Sequence, residues 1–491
     1  MSDVAQLLVP ALRWDSARGY EGQRDLIERG LTLGVGGFIL FGGEQEAVRA
    51  LTKELRQRSR VPLLIGADLE RGAGQQFAGA TGLPPLAAIA WLNDVDAIRK
   101  AARLTAREAR TLGVNWDYAP VCDLDIVPEN PIIGTRSLGS DPQRVAALAT
   151  EWIAACQAEG VLACAKHFPG HGRTRVDSHA ELPTVIASKR ELMATDLVPF
   201  RAAIAAGVAS MMTSHVAYPA LDPSGAPATL SRELLHWLLR QQFKFDGLIV
   251  TDALIMEGIK VGHTEGEATV RAINAGCDLL LYPTDLEAVA AALERAVTDE
   301  LLEEERVAQS VRRRLKWAQW ASPPNEYRKP SATDVAWGAQ LADRVVHLVR
   351  GEAPPAVVDA DVIVVDDDVG GPYPPPSREP FLAALAAAGV NARRAESADT
   401  VDTRDSNGRS VVVALFGDIR SWKGRPGYSA DTRAAVERAC AAARQAVVVQ
   451  FSHPRLAAEI AGARTVVSAW GGESAMQQAA ARWLARGGRA T

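Results

Sequence analysis

The sequence predicts an α/β protein in which an N-terminal (β/α)8 barrel, similar to a TIM barrel, precedes a smaller C-terminal α/β sandwich domain. Three observations lead to this fold class. From residue 1 to about 320, eight short apolar runs alternate with longer amphipathic segments. The runs are apolar throughout, which is typical of parallel strands covered on both faces. A Pro-rich polar stretch then separates them from a second, shorter alternation of strand and helix patterns.

Each of the eight runs has the length of a strand. They are QLLVPAL (6–12), VGGFILFG (35–42), PLLIGADLE (62–70), VNWDYAPVCDLD (114–125), GVLACAKHF (160–168), VASMMTSHVAY (208–218), GLIVTDAL (247–254) and CDLLLYP (277–283). Helix-like segments separate several of them, at 44–60, 96–113, 142–160 and 231–243. Eight such strands, each followed by helix or loop, favour a closed barrel over an open doubly wound sheet.

The C-terminal part repeats the alternation on a smaller scale. A charged helix pattern at about 298–320 is followed by ASPPNEYRKPSATD (321–334), which has the composition of a linker. We therefore expect a barrel domain at 1–320, a linker at 321–340 and a sandwich domain at 341–491. The later strand patterns are VIVVDDD (362–368), SVVVALFGD (410–418), AVVVQFS (446–452) and RTVVSAW (464–470), and helix patterns lie at 335–350, 381–390, 431–445 and 474–485.

Composition narrows the range of functions. A net charge of -5 and a pI near 6.0 argue against a nucleic-acid partner. The first 20 residues carry no basic region and no apolar run long enough for a secretory signal or a membrane span. The five cysteines, an odd number without CxxC spacing, indicate buried reduced thiols. We expect a soluble cytoplasmic protein without nucleic-acid or membrane partners, and both a monomer and a homodimer remain open.

Polar residues cluster where the predicted barrel strands end. A barrel places its chemistry at the carboxyl ends of several strands. Taken alone, each of these residues can be explained as a helix cap or as a hydrogen-bonded buried polar group. Their shared location favours a functional site. They are Asp68, Glu70, Asp117, Asp123, Lys166, His167, His215 and Asp252.

The segment KHFPGHGRTRVDSHAELP (166–183), here called the histidine loop, contains three of the eight histidines. A metal site, an acid/base site and an ordinary polar loop are the alternatives. His167 and His171 have the four-residue spacing that places two imidazoles on one helix face, but Pro169 and Gly170 interrupt a helix here. No HExxH motif is present. We therefore expect neither a metal nor a cofactor.

Acid/base chemistry fits the loop better. Asp177 lies two residues before His179, so both side chains can point the same way in an extended or turned segment. A carboxylate that accepts one ring N–H fixes the tautomer and makes the other nitrogen a proton shuttle. The alternative is a hydrogen bond that only orders the loop. Asp252 ends another apolar run, and a carboxylate nucleophile with a separate proton donor is the equipment for double displacement at a glycosidic carbon.

Together these segments resemble the family-three glycoside hydrolases, and within them the NagZ-type β-N-acetylglucosaminidases. KHFPGHG (166–172) and DSHAELP (177–183) resemble the catalytic loop of that type, and FDGLIVTDALIMEGI (245–259) resembles its nucleophile strand. NPIIGTRSLGSDP (130–142) and PATLSRELL (227–235) match two further family segments. The second domain resembles the C-terminal sandwich of the family, so the resemblance covers nearly the whole chain.

The resemblance implies a retaining exo-hydrolase of terminal β-linked N-acetylglucosamine that forms a covalent glycosyl-enzyme. It implies Asp252 as the nucleophile, His179 as the acid/base and Asp177 as its partner. His171 is expected to shape the loop and not to react. The cytoplasmic location suggests a muropeptide fragment from cell-wall turnover as the carbohydrate substrate. The residues implied to bind sugar hydroxyls are Asp68, Arg136, Lys166 and His167.

Three positions depart from the family pattern. Arg173 follows GHG where the type usually has Asp, which places a positive charge beside the dyad. The family segment DxEGGR is replaced by Asp-Leu-Glu-Arg-Gly-Ala at 68–73. Asp252 is followed by Ala253 where the family usually has a second Asp, which leaves no ambiguity about the nucleophile.

Three other functions remain open from the sequence. A phosphorylase is one, because an imidazole acid/base repels incoming phosphate less than a carboxylate does. A β-glucosidase or β-xylosidase of the same family is another, although those relatives do not use this Asp-Ser-His loop. The third, a non-catalytic sugar-binding protein, is disfavoured because Asp177, His179 and Asp252 are all present.

Overall fold

The computed structural model describes residues 3–260, 262–321, 331–368, 375–395, 409–442 and 446–489. Clustering of the backbone divides the chain into two compact units. The first comprises Met1–Thr81, Val95–Val127 and Ser137–Pro330. The second comprises Gly82–Asp94, Pro128–Arg136 and Ser331–Thr491.

The first unit is a parallel barrel. Strands β2 to β8 form one sheet in chain order, and β9 pairs with β1. β1 and β2 lie on either side of Pro10 and are two halves of one strand. A bridge from Val250 to Leu279 joins the end of β8 to the β9 segment. This pairing closes the barrel, in which β1 and β2 count as one of eight strands. The strands are β1 (Leu8–Val9), β2 (Ala11–Arg13), β3 (Gly37–Phe41), β4 (Leu64–Ala67), β5 (Trp116–Asp117), β6 (Leu162–Phe168), β7 (Ser210–Thr213), β8 (Leu248–Val250) and β9 (Leu280–Leu281).

The helices of both units include those predicted between the strands. A π-helix at Glu233–Gln242 also occupies one of the predicted segments. The α-helices are α1 (Arg24–Leu33), α2 (Gln45–Arg58), α3 (Leu86–Trp91), α4 (Val95–Thr111), α5 (Pro142–Ala158), α6 (Lys189–Ala194), α7 (Leu197–Ala205), α8 (Glu257–Lys260), α9 (Glu265–Ala275), α10 (Leu286–Thr298), α11 (Glu304–Trp320), α12 (Ala332–Val345), α13 (Glu379–Ala387), α14 (Ala430–Ala442) and α15 (Ser474–Ala485).

The barrel interior is filled by side chains from alternate positions of the strands. Ile39, Leu64, Trp116, Leu162 and Leu248 belong to one buried cluster that spans the sheet. Each of the eight predicted apolar runs contributes strand residues to this barrel, so the predicted fold class of the first unit is confirmed. The polar residues that follow the apolar positions are thereby placed at the carboxyl ends of the strands.

The second unit is a six-stranded sheet with helices on both faces. The sheet order is β10-β15-β14-β13-β11-β12, with β10 antiparallel to β15 and the other pairs parallel. Buried clusters lie on both faces of the sheet, one including α12, α13 and α15, and the other including α14. The predicted α/β sandwich is thus confirmed. Its strands are β10 (His347–Arg350), β11 (Asp359–Asp366), β12 (Asn391–Ala395), β13 (Ser410–Phe416), β14 (Ala446–Phe451) and β15 (Thr465–Ser468).

The structure also bears on the predictions about the linker, the cysteines and membrane spans. Residues 322–330 of the predicted linker lie outside the described residues, and α12 begins at Ala332. All five cysteines are free thiols; four are buried, and Cys440 is half-buried. Within the described ranges, none of the helices combines the length and apolar character needed to cross a membrane.

Candidate active site

Lys166 is a buried cation held between two carboxylates. It lies near the end of β6, and its Nζ is 2.7 Å from Asp68 Oδ1 and 2.7 Å from Glu70 Oε1. Asp68 and Glu70 follow β4 at the same rim of the barrel. A buried ammonium group needs such ion pairs to offset its lost hydration. The structure therefore brings together Asp68 and Lys166 of the predicted sugar-binding set and adds Glu70.

Asp123 organises the start of the histidine loop. Its carboxylate accepts hydrogen bonds from the His167 backbone N–H (3.1 Å to each oxygen) and from His171 N–H at 2.6 Å. It also pairs with His167 Nδ1 at 2.6 Å. Burial tends to raise the pKa of Asp123, but the two imidazoles and the N–H donors hold it below its usual value. Asp123 thus fixes the ring of His167, a role that the sequence did not assign.

His171 links parts of the histidine loop through both nitrogens of its ring. Its Nδ1 lies 2.9 Å from Thr174 Oγ1, and its Nε2 lies 2.9 Å from Ser178 Oγ. Burial lowers the pKa of His171 to about 4, so the ring is neutral near pH 7. Position 172 requires glycine, because a Cβ there would stand 1.9 Å from the carbonyl oxygen of Leu124. Both ring nitrogens of His171 are thus engaged by hydroxyl groups of the loop, as expected for a residue that shapes it.

Asp177 and His179 form the carboxylate–imidazole pair that their spacing predicts. Asp177 Oδ1 accepts from the His179 backbone N–H at 3.0 Å and lies 2.7 Å from His179 Nδ1. The carbonyl of Asp177 accepts from Ala180 and Glu181, so the segment is a turn that returns both side chains to one side. Asp177 is buried and His179 is partly exposed, as a proton shuttle requires.

Asp252 lies just after β8 and is half-buried. Its Oδ1 accepts from the Ala253 N–H at 2.7 Å. Its enclosed position tends to raise the pKa of Asp252, but His167, His215, His179 and this hydrogen bond hold the pKa below its usual value. The carboxylate is therefore ionised at neutral pH, which is the state a nucleophile needs.

Helix α8 connects the Asp252 turn to the histidine loop. The Glu257 N–H donates to the His179 carbonyl at 3.4 Å, and the Gly258 N–H donates to the Ser178 carbonyl at 3.1 Å. A Cβ at Gly258 would stand 2.9 Å from that Ser178 oxygen. The helix that follows Asp252 is thus hydrogen-bonded to the segment that carries the dyad, and both belong to the same rim.

His215 is a further residue of the site. Its Nε2 lies 3.1 Å from the carbonyl oxygen of Ala253, and its Nδ1 lies 2.8 Å from Thr229 Oγ1. A carbonyl only accepts, so Nε2 carries the proton and Nδ1 accepts from Thr229. Burial lowers the pKa of His215, which favours this neutral form. The sequence indicated His215 only as a strand-end polar residue, and Thr229 lies in the family segment at 227–235.

Asp117 and Arg136 were also singled out in the sequence, and Asp117 lies close enough to Lys166, Asp68 and Glu70 to interact with them electrostatically. The Asp117 carboxylate packs on helix α5, with Oδ2 4.0 Å from Cys156 Sγ, and burial raises the pKa of Asp117 well above its usual value. Arg136 lies in a 3-10 turn, Gly134–Arg136, within the second compact unit, and its Nη1 donates to the Ile132 carbonyl at 3.4 Å. The sugar contact of Arg136 therefore stays a sequence prediction.

Comparison with a family model decides the classification. The model described as the glycosyl hydrolase family 3 N-terminal domain matches residues 2–316. The chain belongs to glycoside hydrolase family 3. The match covers nearly all of the first unit, including the histidine loop and the Asp252 turn. Within the described ranges of this family-3 chain, no three His, Cys, Asp or Glu side chains are grouped to hold a metal ion.

Individual relatives support the NagZ type within family 3. A β-hexosaminidase of Tolumonas auensis is 41% identical over 254 residues, which are 50% of this chain and 75% of that protein. A β-N-acetylglucosaminidase/β-glucosidase of Cellulomonas fimi is 38% identical over 292 residues, or 58% of this chain. The match spans about half, 52%, of the Cellulomonas protein.

A solved structure extends the family-3 similarity to both units. The family 3 β-N-acetylglucosaminidase from Paenibacillus sp. str. FPU-7 superposes with a TM-score of 0.85 and 30% identity. The superposition covers 98% of this chain and 96% of that one. This family-3 chain therefore resembles a β-N-acetylglucosaminidase in the fold of each of its two units.

Proposed function

We propose that this chain is a retaining exo-β-N-acetylglucosaminidase that cleaves terminal β-linked N-acetylglucosamine through a covalent glycosyl-Asp252 intermediate. The hydrogen bonds from α8 to Ser178 and His179 carry the proposal, because α8 directly follows the Asp252 turn. An ionised carboxylate and an imidazole with its own carboxylate partner then belong to one rim. These are the groups that double displacement requires.

In the first step, an Asp252 carboxylate oxygen forms a bond to the anomeric carbon while the bond to the leaving oxygen breaks. His179 donates its Nε2 proton to that oxygen, so the departing group leaves as a neutral alcohol. Asp177, bound to Nδ1 at 2.7 Å, holds the ring with Nε2 directed away from the pair and stabilises the protonated imidazole.

In the second step, His179 Nε2 takes a proton from water while the water oxygen attacks the anomeric carbon. The ester bond to Asp252 breaks, and the carboxylate is regenerated. Each displacement inverts the anomeric carbon, so the configuration is retained overall. His215 supports Asp252 through Ala253: its Nε2–H binds the carbonyl of the same residue whose N–H donates to the nucleophile.

Lys166, His167 and Asp68 are proposed to bind the hydroxyl groups of the cleaved sugar. Lys166 and Asp68 lie at the rim as an ion pair, and His167 is oriented by Asp123. Charged donors and acceptors of this kind recognise vicinal hydroxyls well. The names of the relatives favour N-acetylglucosamine as the sugar. A cell-wall muropeptide fragment is proposed as the natural substrate from the family resemblance and the expected location. The expected cytoplasmic location belongs to the same proposal, and cell fractionation tests it.

Activity on a panel of nitrophenyl glycosides tests the function. We expect the β-N-acetylglucosaminide to be hydrolysed faster than the β-glucoside and the β-xyloside, with the same product in buffers with and without phosphate. Higher activity on the glucoside would favour the second candidate, a β-glucosidase, since the Cellulomonas fimi relative is named for both activities. Sugar-1-phosphate as the main product in phosphate buffer would contradict hydrolysis and identify a phosphorylase.

A further inference from the structure

Arg173 is the residue of the histidine loop that departs from the family pattern, and it forms a specific ion pair. Its Nε donates to both carboxylate oxygens of Asp196, at 3.1 and 2.8 Å. Its Nη2 donates to Thr195 Oγ1 at 3.1 Å. Thr195 Oγ1 in turn lies 2.5 Å from Asp196 Oδ2. The guanidinium therefore engages two adjacent residues that immediately precede α7.

The ion pair is buried enough to hold its geometry. The Asp196 side chain is 2% exposed, and the Arg173 side chain is 24% exposed. A carboxylate at this depth is costly without a cation that donates hydrogen bonds to it. A planar guanidinium that binds with several N–H groups restrains direction as well as distance, which a lysine at the same position would not do.

The loop is tightly constrained on both sides of Arg173. Gly172 touches the Leu124 carbonyl, so this part of the loop has no room to shift inward. Thr174 Oγ1 donates to the His171 carbonyl at 3.1 Å and also pairs with the His171 ring. The other ring nitrogen of His171 contacts Ser178, the residue between the two members of the dyad. A continuous path of contacts therefore runs from Arg173 through Thr174 and His171 to Ser178, which lies between Asp177 and His179.

We propose that the Arg173–Asp196 ion pair is a positioning clasp that anchors the histidine loop to α7 and sets the placement of His179 over the leaving oxygen. The inference rests on the proposed role of His179 as general acid. Arg173 touches neither the substrate nor the reacting atoms in this account; it acts through the loop. Small misplacement of a catalytic group costs up to about 100-fold in rate, so the clasp should be visible in kinetics.

The test compares two substrates that differ in their need for the acid. 2,4-Dinitrophenyl N-acetyl-β-glucosaminide has a leaving group that departs without protonation, whereas the phenyl glycoside requires it. Arg173→Ala, Arg173→Lys, Asp196→Asn and the Arg173→Ala/Asp196→Asn double variant are measured beside His179→Ala. Arg190→Ala, which removes an exposed arginine of the adjacent helix α6, is the matched control. Urea unfolding of each variant separates loss of fold from loss of positioning.

We expect Arg173→Ala to lower kcat/KM for the phenyl glycoside by roughly 10- to 100-fold and that for the dinitrophenyl glycoside by less than about threefold. Asp196→Asn should show the same selective loss, and the double variant should be no worse than the poorer single variant. Arg173→Lys should recover only part of the loss. Arg190→Ala should behave as wild type on both substrates.

Two outcomes would overturn the clasp. Equal losses on both substrates in Arg173→Ala and Asp196→Asn would indicate a general structural role, and wild-type kinetics in both would indicate no role. His179→Ala distinguishes failure of the clasp from failure of the proposed function. If His179→Ala is not itself selective for the phenyl glycoside, then the acid assignment fails, and the clasp fails with it.

Discussion

Two carboxylate–imidazole pairs in the barrel use the same ring atom for different purposes. In each pair, an aspartate binds a histidine through Nδ1, at 2.7 Å for Asp177–His179 and 2.6 Å for Asp123–His167. Asp123 also accepts hydrogen bonds from the backbone N–H groups of His167 and His171, so its carboxylate holds the loop in place. Asp177 supports a partly exposed imidazole. We therefore propose proton transfer for the Asp177–His179 pair and sugar binding for His167 of the Asp123–His167 pair.

The neutral, buried His171 predicts a specific pH dependence of stability. Its pKa is lowered to about 4 in the folded protein, whereas an unfolded histidine titrates near pH 6.5. As pH falls through 6.5, the unfolded chain gains a proton that the folded chain does not, so stability is lost. Between pH 7.5 and 5 this loss is roughly 2 kcal/mol.

Urea unfolding of wild type and His171→Asn at both pH values measures this contribution. The free energy of unfolding should decline less with acidification in the variant, because asparagine does not titrate. The pH 7.5 data serve as the control, since there the variant reports only its lost contacts with Thr174 and Ser178. An unchanged pH dependence in His171→Asn would show that His171 is not held neutral.

At the residue scale, sequence predicts what is local. Asp177 and His179 are two residues apart, and that spacing allows contact in a turn, so the pair was predictable. Asp123 and His167 are separated by 44 residues, and only the fold joins them. The fold alone likewise brings Glu70 to the Lys166 ammonium group and His215 to the Ala253 carbonyl. Arg173 was recognisable as unusual, but its partner Asp196 was not.

At the element scale, the end of the barrel opposite the site is held by a buried ion cluster. Asp278, which precedes β9 and is fully buried, binds Arg240 of the π-helix and Arg306 and Arg313 of α11. It also accepts from the Ile249 N–H at 3.0 Å. Burial tends to raise the pKa of Asp278, but the three arginines hold it below its usual value.

We expect Asp278→Ala to lower the free energy of unfolding by about 3–5 kcal/mol, because three partly buried guanidinium groups lose their shared carboxylate. The loss should diminish below about pH 4, because the unfolded chain then gains a proton that the folded Asp278 carboxylate, with its lowered pKa, does not yet gain. Urea unfolding at pH 7.5 measures the difference.

Asp246→Ala is the matched control for Asp278→Ala. Asp246 faces the same helix at 3.9 Å from Arg313 and 3.5 Å from Lys316, but its side chain is 79% exposed. An exposed pair contributes less than about 1 kcal/mol. Equal destabilisation by the two variants would contradict the view that burial of the Asp278 cluster holds this end of the barrel.

Elements with a strong apolar pattern were predictable, and polar ones were not. The eight barrel runs and four sandwich strands each bury apolar residues on both faces, which is the signal that a sequence displays. Strand β12 was missed because its residues, NARRA, are largely exposed at the edge of the sheet. Polar residues protect such an edge from further pairing. Strand β10 occupies the last four residues of the segment 335–350, which was predicted as helix; the prediction is wrong there because a short, half-buried strand has no clear apolar pattern.

At the scale of the whole molecule, the barrel and the sandwich each have a core of their own. The order of the two folds along the chain was predictable because strand and helix patterns alternate in both parts of the sequence. The Pro-rich stretch separates the two parts. The assignment of Gly82–Asp94 and Pro128–Arg136 to the second unit was not predictable. Those segments lie inside the barrel sequence, and only tertiary contacts identify them.

Trapping of the glycosyl-enzyme tests the central claim, that Asp252 is the nucleophile of a retaining N-acetylglucosaminidase. The protein is incubated with a fluorinated N-acetylglucosaminide that forms the intermediate quickly and releases it slowly, and the digested protein is mapped by mass spectrometry. We predict one added sugar, located on Asp252, and no label in Asp252→Ala. A label on another residue, or full hydrolytic activity in Asp252→Ala, would contradict the account.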